Sequence, residues 1–282
     1  MITQSEKGSI FRALHERDGA FILPNPWDLG GVRMLAHLGF EALATTSAGY
    51  AFSIGQLDNS VGRDRMMEHV ASIASATDLP VSGDLEKGFG DGPEVVAETI
   101  RLAAAAGLVG GSIEDASGVT GEPIYEKNHA AERIRAAAEA AHALPFAFTL
   151  TARAENYLNG KPDLHDTIDR LQAYQEAGAD VLYAPGLTTE EEIGTLVRSV
   201  DRPVNVLVGL KGMRLDLAGL SRLGVKRVSV GSGLARAAIG AFLRAAREMR
   251  MHGSFDFAEE AVGSAEVGEF LRINPRQSEA GN

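Results

Sequence analysis

The chain has 282 residues, 45% of them hydrophobic and 23% charged, with 32 Gly, 10 Pro and no Cys. This is a globular composition, and the lack of Cys excludes disulfides, thiolate metal sites and a cysteine nucleophile. With 38 Asp and Glu against 27 Lys and Arg, a formal charge of −11 opposes nucleic-acid backbones and anionic membranes. No apolar run reaches the ~20 residues of a membrane span, and the polar start around Lys7 has no signal-peptide core. A cytoplasmic protein without nucleic-acid or membrane partners is expected.

In chain order, short apolar or β-branched runs recur at 21–24, 42–46, 80–85, 109–113, 146–152, 180–184, 203–208 and 227–230. Amphipathic segments at 92–106, 129–143, 164–177, 189–199 and 216–223 separate them, long enough for right-handed crossovers between parallel strands. Gly39, Gly107, Gly178 and Gly224 each end such a segment, as left-handed C′ residues do. Eight βα units with no long polar linker predict an α/β fold, a (β/α)8 TIM-type barrel forming one domain over 1–282, rather than an open sheet. A helix over 234–250 should follow, then a break at 251–253 and an extra helical segment at about 255–271. That extension has to cover the barrel floor or a second subunit, and the polar tail 274–282 should fray.

A barrel's active site lies at the C-terminal ends of its strands. Asp84 and Glu86 follow the third run, Glu114 ends the fourth, and Asp58 lies in the long connection after the second. Strand alternation predicts Asp84 and Glu86 on one face. Converging acids repel one another unless a cation lies among them, and an oxygen-only set favours Mg²⁺, with Mn²⁺ an alternative. Arg153, ending the fifth run with Glu155 on the same face, adds a fixed guanidinium suited to a carboxylate or oxyanion. Asn205 is a polar residue inside the apolar seventh run, so it needs partners, a ligand or neighbouring side chains. Asp91 reads as the N-cap of the helix starting near Pro93, and Tyr183 as core. The seven His residues show no metal spacing, and 117–129, with Ser117, Gly118 and Gly121 as hinges, reads as a mobile lid. Gly231-Ser232-Gly233 stands where many barrels bind phosphate.

The segments Leu23-Pro24-Asn25-Pro26-Trp27-Asp28, Thr46-Ser47-Ala48-Gly49, Gly83-Asp84-Leu85-Glu86-Lys87-Gly88-Phe89-Gly90, Ile113-Glu114-Asp115 and Thr151-Ala152-Arg153 resemble the isocitrate lyase and phosphoenolpyruvate mutase superfamily. The resemblance implies Mg²⁺ near Asp58, Asp84, Glu86 and Glu114, with Asp84 the direct ligand and the others acting through water. It also implies a 2-oxo acid held by Arg153 and by backbone N–H groups around Thr46, Ser47 and Ala48. Such relatives exchange a C-terminal helix between paired subunits, which implies a homodimer or homotetramer. Glu86 departs from the family's usual Asp, and the lyases' Lys-Lys/Arg-Cys-Gly-His loop is missing, so the acid must be another group.

A Mg²⁺-dependent lyase is therefore expected, cleaving a C–C bond next to a 2-oxo acid group through an enolate-type intermediate. Arg153, Glu114 and Asp58 would be catalytic and Asn205 substrate-binding, with lid water, Tyr125, Glu155 or His129 as the proton donor. The alternatives are a phosphate-binding barrel isomerase or aldolase, and a non-catalytic 2-oxo acid binding protein.

Overall fold

The structure, a computed structural model, describes residues 2–272. Its main sheet consists of β1 (Phe21–Leu23), β2 (Leu43–Ala44), β3 (Val81–Asp84), β4 (Gly110–Glu114), β7 (Thr149–Arg153), β8 (Val181–Tyr183), β9 (Val204–Leu207) and β10 (Arg227–Ser229). A separate antiparallel pair, β5 (Ala116–Val119) and β6 (Glu122–Ile124), follows β4. The eight main strands run parallel in the order β1-β10-β9-β8-β7-β4-β3-β2, and the Ala44 N–H donates to the Pro24 carbonyl at 3.0 Å, bringing β2 back to β1. The expected (β/α)8 barrel is thus formed, nearly closed.

The helices are α1 (Gln4–Glu16), α2 (Leu29–His37), α3 (Ser47–Ser53), α4 (Arg63–Ser75), α5 (Pro93–Ala105), α6 (Lys127–His142), α7 (Leu164–Glu176), α8 (Glu190–Arg198), α9 (Leu217–Arg222), α10 (Gly233–His252) and α11 (Ser264–Leu271). Side-chain oxygens of Asp28, Thr46, Asp163, Thr189 and Asp216 accept first-turn amides and fix where helices start after the strands. Gly39, Gly107, Gly178 and Gly224 all take positive φ after their helices, as their position requires. All seven His residues lie in helices.

Two apolar cores result. The larger joins the outer faces of the strands to the helices, through residues such as Val81, Ile113, Leu150, Leu182 and Val206. The smaller plugs the barrel floor, where Phe11 and Leu14 of α1 meet Phe21, Leu23, Ala42, Ala44 and Val109. The extension therefore does not cap the floor: α1 already occupies it, and α11 packs on α2, with the Phe270 and His37 rings 5.1 Å apart. The tail 274–282 lies outside the described residues.

Above the floor the barrel departs from the usual packed layers of branched aliphatic residues. Ser82, Thr151, Asn205, Arg227 and Ser229 are buried there, below a cavity of about 390 Å³ that opens at the C-terminal ends of the strands.

Candidate active site at the barrel mouth

The cavity is lined by Thr46, Ser47, Ala48, Asp58, Asp84, Glu114, Arg153 and Asn205, so eight of the nine residues expected at a site come together. Asp84 ends β3 and is held from two sides. Its Oδ2 accepts the Ser47 backbone N–H at 3.0 Å and the Ser47 hydroxyl at 2.9 Å, while its Oδ1 accepts from Arg153 Nη1 at 2.9 Å. The Ser47 amide is free to do this because it lies in the first turn of α3, where no intrahelical carbonyl is available. Thr46 caps the same turn through the Gly49 N–H. Asp58 stands at the rim with its partly buried carboxyl 3.3 Å from the Ser47 hydroxyl.

Arg153 is the hub of the site. Its guanidinium also reaches Glu114 at 3.0 Å and Glu155 at 2.7 Å, so one cation faces three carboxylates. Burial opposes its charge, but Glu155, Glu114 and Asp84 outweigh that and hold it firmly protonated. The acids are in surplus. Burial pushes Glu114 well above the usual carboxylate range and raises Glu155 as well, and Asp58 rises through burial and the charge of Asp84.

Glu86 is where the alternation argument fails. The strand stops at Asp84, and Glu86 adopts a left-handed φ of 51°, uncommon for a residue with a side chain. Its carboxyl therefore leaves the face of Asp84 and lines a neighbouring recess with Arg63, Arg65, Lys87 and Phe89. It remains close enough to feel Asp84 and Asp58: burial, then those two charges, push it up to about 8. Its buried Oε1 has no hydrogen-bond partner among the described residues.

These features bear on the implied Mg²⁺. Among the described residues no three His, Cys, Asp or Glu side chains stand together tightly enough to hold a metal directly. Mg²⁺ does not require that, since it keeps several waters and takes one or two carboxylates. One engaged carboxylate at Asp84, an orphaned oxygen on Glu86 and a charge surplus across Asp58, Glu86 and Glu114 fit a hydrated dication.

Three further expectations need correction or refinement. Asp91 is not an N-cap: Gly92 takes that position without a side-chain bond, because Asp91 is drawn to Lys87 at 2.8 Å and to the Tyr125 hydroxyl. The expected lid segment has regular structure: residues 117–124 form most of the β5–β6 hairpin, and residues 127–129 begin α6. Tyr125 and His129, offered as proton donors, are both bound to Asp91 outside the cavity lining, the Tyr125 hydroxyl to its carboxylate and His129 Nε2 to its carbonyl at 3.1 Å. Glu155, by contrast, lines the cavity.

Asn205 has found neighbouring side chains: its Nδ2 donates to Ser229 at 2.9 Å and its Oδ1 accepts from Arg227 Nε at 2.9 Å, which leaves one N–H of the amide over. Around Gly231 the strand-end amides are also spent, since Asn25 Oδ1 accepts the Val230 and Gly231 N–H groups at 3.0 and 2.9 Å.

Among the cavity residues that sequence reasoning missed, two stand out. Tyr183 is buried as expected, yet it lines the cavity with the Arg153 guanidinium 5.3 Å above its ring, and burial pushes its hydroxyl up to about 12. Arg227 reaches the cavity from β10. An arginine opening the eighth strand run was the available signal for the second.

Comparison with known proteins agrees with this geometry. Residues 11–250 match the family profile described as Phosphoenolpyruvate phosphomutase, and the chain belongs to that family. An uncharacterised protein of Mycobacterium tuberculosis is 33% identical over 238 residues, covering 84% of this chain and 87% of its own. A 2-methylisocitrate lyase of Halalkalibacterium halodurans is 27% identical over 80% of this chain and 76% of its own, and an oxaloacetate decarboxylase of Pseudomonas paraeruginosa is 28% identical over 87% and 86%. A crystal structure from Burkholderia cenocepacia J2315, provisionally described as a lyase/mutase, superposes with a TM-score of 0.93 at 61% identity over 96% of this chain and 97% of that one. The fold also recurs at a TM-score of 0.83 and 23% identity in a phosphonopyruvate hydrolase complexed with oxalate and Mg²⁺, over 97% of each chain.

Proposed function

We propose that the protein is a Mg²⁺-dependent lyase that breaks a C–C bond next to a 2-oxo acid group, on a small 2-oxo or 2-hydroxy dicarboxylate. Its named relatives include an oxaloacetate decarboxylase and 2-methylisocitrate lyases. The observation that carries the reading is the arrangement at Arg153, a single guanidinium set among Asp84, Glu114 and Glu155 where the cavity meets the first turn of α3.

When bound, Mg²⁺ supplies positive charge next to the 2-oxo acid oxygens and lowers the cost of the electrons released by the breaking bond. Asp84 would hold it directly, with Asp58, Glu86 and Glu114 acting through water. Arg153 holds the substrate's carboxylate and the developing enolate-type oxyanion, a task for which its planar fork is suited. The Ser47 N–H and hydroxyl fix Asp84, which leaves the neighbouring N–H groups of Thr46 and Ala48 to orient the substrate's oxygens. Glu155, whose carboxyl burial raises against the pull of Arg153, is the strongest proton-donor candidate in the cavity. The Cys-free composition favours a cytoplasmic setting, and no described helix is long and apolar enough to cross a membrane.

The phosphate-barrel alternative is weakened by Asn25, which already occupies the amides at Gly231. Oxalate tests the leading reading, because it is planar, dianionic and bidentate like a pyruvate enolate. Calorimetry should show oxalate binding at least tenfold tighter than pyruvate, and only with Mg²⁺. Asp84→Asn should abolish the binding, and Arg153→Lys should weaken it with Mg²⁺ affinity kept. Oxalate binding that ignores both Mg²⁺ and Asp84 would overturn the reading. A panel of 2-oxo acids, followed by detection of pyruvate and glyoxylate, would identify the reaction, and binding without turnover would favour a sensor.

A further inference from the structure

Arg227 is only 3% exposed, yet it has no carboxylate partner among the described residues, whereas Arg153 has three and Arg170 has two. Arg133 is also buried without a carboxylate, but it lies outside the cavity lining and is held by the Lys87, Gly90 and Glu114 carbonyls. The three recorded partners of Arg227 are neutral. Nε donates to Asn205 Oδ1 at 2.9 Å and Nη2 to Thr151 Oγ1 at 2.9 Å, while Nη1 lies 3.4 Å from His15 Nε2. His15 is neutral and adds no second positive charge. Its Nδ1 lies 2.8 Å from the Phe11 carbonyl, which places the proton there and leaves Nε2 as an acceptor, and burial pushes its pKa down to about 3. A guanidinium has five N–H donors, so three acceptors leave two for another group. Burial itself pulls Arg227 down to about 10, and Tyr183 is the one neighbour that offsets this. Buried charges are ordinarily paired, so an uncompensated one lining a cavity is a place for a counter-charge.

The register shows how this cation relates to the site. Arg153, Tyr183, Asn205 and Arg227 are successive Cα partners across β7, β8, β9 and β10. Three strand spacings of roughly 4.8 Å put about 14 Å of barrel wall between the two arginine Cα atoms. Both side chains reach inward into the same cavity, which leaves between them a space suited to a short carbon chain.

We propose that Arg227, with Asn205, Thr151 and Ser229 around it, forms an inner anion subsite that takes a carboxylate-sized anion, and that the far carboxylate of a short dicarboxylic substrate occupies it. This deepens the lyase reading, on which the identity of the occupant rests. The anion site itself stands on Arg227 and its neutral surroundings.

Calorimetry on the full-length protein with Mg²⁺ present, using oxalate, malonate and succinate as probes, tests it. Arg227→Gln should weaken malonate or succinate at least tenfold and change oxalate, which reaches only the Arg153 end, by less than twofold. Asn205→Asp places a carboxylate of the same size against the guanidinium and should have the same effect, so the test survives if Arg227→Gln does not fold. Acetate and chloride, titrated without Mg²⁺ while following Tm, form a second arm. A Tm rise that both variants abolish, with dicarboxylate affinity unchanged, would assign the site to a free anion. If both variants match the wild type for all five probes, there is no anion subsite. Loss of oxalate binding in Asp84→Asn reports on the lyase reading separately, so either idea can fail alone.

Discussion

Glu86 shows how one residue's backbone decides its chemistry. The left-handed turn after β3 tucks its carboxyl into a recess, where burial and the charges of Asp84 and Asp58 raise its pKa from the usual 4.5 to about 8. In the metal-free folded protein Glu86 thus holds a proton that the unfolded chain has already lost between pH 4.5 and 8. The native state binds more protons in that window, so its stability is full below pH 4.5 and declines as pH rises through 8. Metal-free wild type should lose Tm between pH 5 and 8.5, while Glu86→Gln, which cannot ionise, should show a shallower slope and melt several degrees higher at pH 8.5. Parallel Tm curves for the two proteins would contradict this account. Mg²⁺, competing with protons for the same cluster, should bind more tightly as pH rises, a trend calorimetry would show directly. Asp84, Glu114 and Arg153 were legible in the sequence because charged residues ending apolar strands have few structural uses. Tyr183 and the displacement of Glu86 were not, because aromatic burial looks alike on a cavity wall and in a core, and a positive φ at a non-glycine residue leaves no compositional trace.

At the scale of elements, the eight strands were readable since each is a short apolar run between helical periods, and the C′ glycines mark the joins. Helix α1 was not, because its polar face dominates the composition and its buried residues, Phe11, Leu14 and His15, matter only once the barrel floor exists. The β5–β6 hairpin was hidden for a related reason: few of its residues are apolar, and its order comes from contacts far along the chain. Lys87 Nζ donates to the Ser117 carbonyl at 2.8 Å, Arg170 Nη1 to the Tyr125 carbonyl at 2.8 Å, and the Tyr125 hydroxyl to Asp91. Ala116, at the base of the hairpin, also lines the cavity, which couples this element to whatever the cavity holds. Tyr125→Phe removes one latch from the hairpin without touching the cavity lining. Proteolytic nicking at its tip, around Thr120 and Gly121, should then rise severalfold, and in the wild type it should fall when Mg²⁺ and a 2-oxo acid are both present. Cleavage indifferent to both changes would mean that the hairpin does not gate the cavity.

At the scale of the whole molecule, the described residues leave a large apolar surface uncovered along α10. Of the 20 residues of α10, only Ala235 is buried, and Phe242 is 71% exposed. Ala235, Ala238, Ile239, Phe242, Ala246 and Met249 follow helical spacing down one side, and the first four line an apolar groove with Trp27 and Phe52. A helix after the eighth strand would ordinarily bury such a stripe against its own barrel. Left open, together with exposed Met251, Phe255 and Val262, it forms the kind of patch that soluble monomers rarely display. A second copy of the chain is the expected cover, consistent with the helix exchange that the family resemblance implies. Light scattering on the intact protein should therefore report a dimer or tetramer. Phe242→Glu combined with Ile239→Glu should shift it towards monomer, because two charges would have to be buried in the joint. Truncation before Phe255 should perturb assembly less, as α11 packs on α2 within the chain. An intact protein that is monomeric at micromolar concentration, with a double variant indistinguishable from it, would show that the stripe of α10 is not an interface.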